Sequence, residues 1–177
     1  MIRAKALVSV LAVCVLAVPG CGRPAPGGKV NFGAGDREVV GTVVARDKLQ
    51  DIDPGLQSAA AVADRITYVS HSGIYDSVTH VSGTVFVPRG NPPPGGWPIV
   101  AFGHPTTGTL PDCAPSLSPT LLGASTTVAE LLDAGFVVSV PDYQGLGTLG
   151  ANDRYHPYLD STTVGKNLID SRGVKTA

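Results

Sequence analysis

The chain has 177 residues, 43% of them hydrophobic, and a formal net charge of -1. That length and apolar content suit one globular domain and exclude a disordered polyampholyte, and the near balance of charge leaves no field of the kind that recruits nucleic acid. Gly (22) and Pro (15) together stand well above their usual combined share of about 12%, which predicts a loop-rich domain without internal repeats.

Arg3 and Lys5 give a charged start, residues 6–18 are continuously apolar, and "VPGC" closes the stretch at Cys21. This is the three-part plan of a secretory signal, too short to span a bilayer as a permanent helix. Val18, Gly20 and Cys21 resemble a bacterial lipobox, although Pro19 is unusual there. Residues 1–20 are then a lipoprotein-type signal peptide, and Cys21 becomes the lipid-bearing first mature residue. An ordinary signal peptide cut nearby is the alternative, and both predict export, to a membrane-anchored or secreted state. Residues 21–37, Gly/Pro-rich and aperiodic, form a tether, and residues 38–177 the folded part. With Cys14 in the signal and Cys21 acylated, Cys113 is the single cysteine of the mature domain.

"EVVGTVVA" (residues 38–45) reads as a strand, and residues 53–64 as a turn passing into a short helix. "RITYVSHS" (65–72) and "THVSGTVFVP" (79–88) alternate and are β-branched, so they predict two strands joined by a hairpin. "WPIVAFGH" (97–104) and "FVVSVP" (136–141) are nearly all apolar, the pattern of strands buried on both faces. Between them lies a helix over residues 124–134 with Val128, Leu131 and Leu132 inward and Gly135 at its C-cap. Residues 161–174 predict a closing helix with Val164, Leu168 and Ile169 on one face. The order implies an α/β fold whose sheet begins antiparallel and turns parallel, with helices on its faces.

Gly145, Gly147 and Gly150 spell G-x-G-x-x-G, the spacing of a dinucleotide fingerprint. The context does not fit. Asp142, Tyr143 and Gln144 intervene after the strand, a polar stretch with Pro157 follows Gly150, and no acidic residue closes a further strand about 20 positions on. No nucleotide is expected. His104, Asp112 and His156 lack the tight spacing of a metal site.

"HPTTG" (104–108), "DCAPS" (112–116), "GFVVSVPDYQGLG" (135–147) and "HPYL" (156–159), in this order and after "VSGTVFVP", resemble the N-terminal half of the secretory lipase family of α/β-hydrolases. The resemblance covers about residue 65 onward. It implies hydrolysis of carboxylic esters, fatty-acyl glycerol esters among them, in lipid catabolism by acyl-enzyme chemistry without a cofactor. A lipid or ester substrate, and a membrane reached through the anchor, are the implied partners. The "HPTTG" loop takes the place of the family's oxyanion loop, which makes the backbone N–H of Thr106, or of Thr107, the donor to the oxyanion. Pro105 stands where glycine is usual and has no N–H to give. His104 precedes any possible nucleophile and so orients the loop rather than acting as base. Asp142, Tyr143, Gly145 and Gly147 shape a turn beside the cleft, with Asp142 and Tyr143 holding it by hydrogen bonds. The resemblance also implies a disulfide from Cys113 to a cysteine far downstream.

No G-x-S-x-G elbow occurs in the 177 residues. Ser72 and Ser125 sit in partial matches, "SHSG" and "GAST", and read as decoys. The expectation is therefore a hydrolase fragment that stops before the nucleophile elbow, is inactive alone, and leaves one of its apolar strands at or beside an open sheet edge. The alternative is a non-catalytic surface lipoprotein that keeps part of a hydrolase scaffold.

Overall fold

A computed structural model describes residues 39–148 and 155–173. The signal, lipidation and tether readings, with Cys14, Cys21, Glu38, Gly150 and Val174, lie outside the described residues.

Alternating apolar side chains build a five-stranded mixed sheet. Strands β1 (Val43–Lys48), β2 (Ala60–Ser72), β3 (Ser77–Pro88), β4 (Ile99–Ala101) and β5 (Val137–Pro141) lie in the order β1-β2-β3-β5-β4. The β1–β2, β2–β3 and β3–β5 pairs are antiparallel, and β4 pairs parallel to β5. Helices α1 (Pro54–Ala59), α2 (Ser125–Asp133) and α3 (Ser161–Asp170) flank the sheet. This is the α/β arrangement expected.

The two-residue period of the strands sorts the core onto two faces. Phe86, Val138 and Val140 pack with Leu56 of α1 and with Val128 and Leu132 of α2, one helical turn apart. Ile66, Tyr68, Val81, Val85 and Val137 form the opposite cluster. Each such side chain, fully buried, contributes about 1.5–3 kcal/mol.

Tertiary pairing moves several boundaries. The strand expected at residues 38–45 is found at Val43–Lys48, and its ladder with β2 is irregular between Val43 and Ala45. The helical pattern of residues 53–64 is interrupted after Ala59, because Ala60 pairs with Pro88 and Val62 with Val87, drawing the rest into β2. β4 keeps only three residues of the expected strand. It ends the sheet, has one strand neighbour among the described residues, and leaves Ile99 41% exposed, so it is not buried on both faces.

Helix α3 forms where expected, but the apolar face read from its sequence is not the face it buries. Its buried residues are Thr163 and Asn167, with Ser171 just beyond, whereas Val164 and Leu168 are half-buried and Ile169 is 57% exposed. The reason lies in the surface it covers. Asn167 Nδ2 donates to Ser70 Oγ (2.8 Å) and to the His71 carbonyl (3.0 Å), Tyr68 Oη donates to the Asn167 carbonyl (2.8 Å), and Asp170 Oδ2 accepts from Ser70 Oγ (2.9 Å). Each of these polar groups, if buried and left unmet, would cost about 1–3 kcal/mol, so that together they outweigh packing one more aliphatic side chain. Burial, reinforced by Asp142 and Asp170, pushes the Tyr68 hydroxyl well above its usual pKa. Asp160 caps the helix, accepting from the Thr162 and Thr163 N–H groups and from the Thr163 hydroxyl. That hydroxyl bond is the main reason the Asp160 carboxyl titrates below its usual range. No helix among the described residues is long and apolar enough to cross a membrane.

Candidate functional site

Because β4 and β5 are parallel neighbours, the loops at their carboxyl ends, residues 102–108 and 142–148, emerge side by side, where ligands bind in α/β sheets. The Tyr143 ring stacks on His104 with centroids 4.4 Å apart and planes 28° from parallel. His104 and Tyr143 are each 7% exposed, and Tyr143 Oη donates to the His104 carbonyl (3.4 Å). Tyr143 has φ +72°, a left-handed conformation that costs a non-glycine residue about 1–3 kcal/mol and persists only where surrounding contacts enforce it. Burial raises the Tyr143 pKa, against the bond to His104.

Those contacts begin with Asp142, which is wholly buried. Ser82 Oγ of β3 donates to its Oδ2 (2.6 Å), the Ser116 N–H donates to its Oδ1 (2.9 Å), and Ser116 Oγ donates to Oδ2 (2.5 Å). Arg65 Nε donates to Ser116 Oγ (2.9 Å), so a guanidinium faces the carboxylate through a hydroxyl. The turn is held along its length. Gln144 N–H donates to Asn167 Oδ1 (2.9 Å), Gly147 N–H to the Pro111 carbonyl (2.8 Å), and Thr148 N–H to Ser82 Oγ (3.0 Å).

The glycines of this turn are explained by space. Gly145 has φ +82°, and a Cβ there would strike the backbone of Tyr155 and His156, the latter at 2.5 Å. Gly147, at φ +67°, would drive a Cβ into the Ser82 hydroxyl and to 2.8 Å from the Asp142 carboxylate. Neither opens a helix within the described turn.

The His104 loop is fixed at its far end by Thr107 Oγ1, which donates to the carbonyl of buried Cys113 (2.7 Å). The backbone N–H groups of Thr106 and Thr107 bond nothing among the described residues. A cavity of about 120 Å³ lies between the loops, lined by His104, Thr106, Thr107, Tyr143, His156 and Tyr158 among others. The structure thus brings His104, Thr106, Thr107 and Tyr143 together, while Asp142 is absent from the lining and all its bonds are internal. Ser72 and Ser125 are buried at the end of β2 and the start of α2, away from this cavity. Among the described residues no group of three His, Cys, Asp or Glu side chains could hold a metal ion. A larger cleft of about 340 Å³ touches Trp97 and Gly135 at the opposite ends of β4 and β5, and its Arg89 is spent on the α1 carbonyls of Gln57 and Ser58.

Sequence reasoning placed His156 within a family motif and otherwise weighed it only as part of a poorly spaced metal trio. In the structure its ring lies 6.1 Å from that of Tyr143, 7° from parallel, and its Nδ1 contacts the Gln144 carbonyl at 2.8 Å. Arg65, Ser82, Ser116 and Asn167 were missed as supports. Ser116 lay in the quoted "DCAPS", whereas Ser82, mid-strand in an ordinary alternating pattern, carried no signal.

No protein-family model and no curated protein matches the chain. Solved structures do, and they give the class: an α/β-hydrolase fold of the lipase and esterase kind. A ligand-bound form of the rice cell wall degrading esterase LipA from Xanthomonas oryzae is 25% identical, with a TM-score of 0.55 over 76% of this chain and 37% of LipA. Another crystal structure of LipA is 24% identical with a TM-score of 0.56. Candida antarctica lipase A in its closed state shares the fold at 17% identity, with a TM-score of 0.58 over 77% of this chain and 31% of that one. The chain therefore spans about a third of the length of these enzymes.

His156 gives a pH test. Burial holds its pKa below the usual value, more strongly than the bond to Gln144 raises it. A base whose folded pKa is depressed contributes stability above its unfolded pKa, near 6.5, and loses that stability as pH falls through the folded value. His156→Asn, whose amide N–H can replace Nδ1–H, should therefore narrow the gap in urea-unfolding free energy between about pH 7.5 and pH 5.5. An unchanged gap would show that His156 is not the buried neutral base described.

Proposed function

We propose that this chain carries the oxyanion side of an exported carboxylic ester hydrolase of the secretory lipase type, acting on lipid esters such as acylglycerols. One observation supports this above the others: two backbone N–H groups, of Thr106 and Thr107, are left without partners among the described residues at the carboxyl end of β4, beside an aromatic cavity. Ester hydrolysis passes through a tetrahedral intermediate with a negatively charged oxygen, and one preorganised N–H at that oxygen is worth about 10²–10³ in rate. Pro105 has no N–H, so the first donor beyond His104 is Thr106, and the hydroxyl bond of Thr107 to Cys113 holds the backbone that presents both. The likeness to LipA favours ester chemistry, and its coverage of 37% of that enzyme fits a scheme in which nucleophile, acid and base come from further polypeptide.

The reading is tested by amide NMR during titration with butyrate, a carboxylate that imitates the oxyanion. The Thr106 or Thr107 amide signal should shift saturably, and a fluorophosphonate should leave the chain unlabelled. Two unmoved amides, or stoichiometric labelling of Ser72 or Ser125, would contradict it.

The proposal includes anchoring through a lipid on Cys21, which would bring the cleft to a membrane surface. After expression in a lipoprotein-processing host the protein should partition into detergent, and Cys21→Ser should abolish this, since more than one acyl chain is needed for stable anchoring. Partition unchanged by Cys21→Ser would leave only a cleavable signal.

A further inference from the structure

The geometry points to an ester with a free hydroxyl, such as a monoester of glycerol or of a sugar, as the ligand of this cavity, with His156 Nε2 as the atom that accepts from that hydroxyl. This deepens the proposed ester-hydrolase reading and rests on it.

The tautomer of His156 follows from its partner. A carbonyl oxygen only accepts, so the 2.8 Å contact with Gln144 O places a proton on Nδ1. Burial keeps the ring neutral, which leaves Nε2 with a lone pair and no proton. His156 is 8% exposed and lines the cavity, and its Nε2 bonds no group among the described residues. Among the described residues no bond runs from the rings of His104, Tyr143 or Tyr158, the last edge-on to His156 at 6.4 Å, to this nitrogen. His104 Nδ1 contacts the Pro105 carbonyl (2.7 Å), and Tyr143 Oη is turned to the His104 carbonyl. One wall thus presents an acceptor while the oxyanion loop presents donors at Thr106 and Thr107.

A plain alkyl ester has only acceptor oxygens. It could satisfy the Thr106 or Thr107 N–H but would strip water from Nε2 and return nothing. A ligand that also carries O–H satisfies both walls, and sites built to hydrogen-bond a hydroxyl discriminate against analogues lacking it.

The 177 residues contain no G-x-S-x-G elbow, and ester binding is measured together with a check for released butyrate. The probes are glycerol monobutyrate and propyl butyrate, which share a skeleton and differ in two hydroxyls. Ligand-observed NMR should show the hydroxylated ester binding about fivefold more tightly, the effect of one net hydrogen bond. His156→Asn, which keeps the bond to Gln144 O and deletes Nε2, should bring the ratio close to one without weakening propyl butyrate. Should that variant fold poorly, the imidazole nitrogen spectrum of the unaltered chain decides. The His156 Nε2 resonance should respond to glycerol monobutyrate and not to propyl butyrate. Equal affinities in the unaltered chain, a ratio kept in His156→Asn, or a protonated Nε2 would overturn the inference and leave the oxyanion reading standing. Failure of both esters to bind would overturn the two together.

Discussion

Asp142 is wholly buried, and a carboxylate there is tolerable only because Ser82, Ser116 and, through Ser116, Arg65 surround it with donors. An isolated buried charge would cost many kcal/mol, whereas a fully hydrogen-bonded one fixes the groups around it. Here those groups come from β2, β3 and the turn at Pro115–Leu117, while Asp142 itself follows β5. The carboxylate ties these three elements to the end of β5 at the mouth of the sheet. It is therefore a positioning group, and its burial is the condition for the loop geometry beside it.

What it positions is a strained turn. Tyr143 takes a left-handed conformation next to Asp142, which turns its ring onto His104 and into the wall of the cavity. Gly145 and Gly147 then let the chain pass within contact of residues 155–156 and of the Ser82 hydroxyl. The polar face of α3 closes the arrangement from behind: Asn167 binds the backbone of Gln144, and Gln144 in turn holds His156. The groups that line the cavity are thus set by a second layer of buried hydrogen bonds, as holding donors at fixed distances requires.

The sheet was legible wherever burial followed a period. The β2–β3 hairpin and α2 repeat their apolar residues every two or every three to four positions, β5 is a short and nearly unbroken apolar run, and all of them form where expected within a few residues. The α1–β2 boundary was not legible, because "SAAAVAD" suits a helix as well as a strand and only its pairing with β3 decides. Nor was the inward face of α3, since hydrogen-bond demand from Ser70 and the His71 backbone is invisible to a hydrophobic pattern. In the site, the His104 loop and the Asp142 turn came from a motif resemblance. The role of His156 needed coordinates, because a histidine gives no sign in sequence of which nitrogen a distant carbonyl will hold.

Native-state hydrogen exchange on Asp142→Ala bears most directly on the carboxylate's role. The account predicts that the amides of Ser116, Gly147 and Thr148 lose most of their protection in the variant, while amides in the middle of the β2–β3 hairpin, such as Ile66 and Val85, keep theirs. Equal protection at the loop amides before and after substitution would contradict it, and would show that the cleft is held without this buried charge.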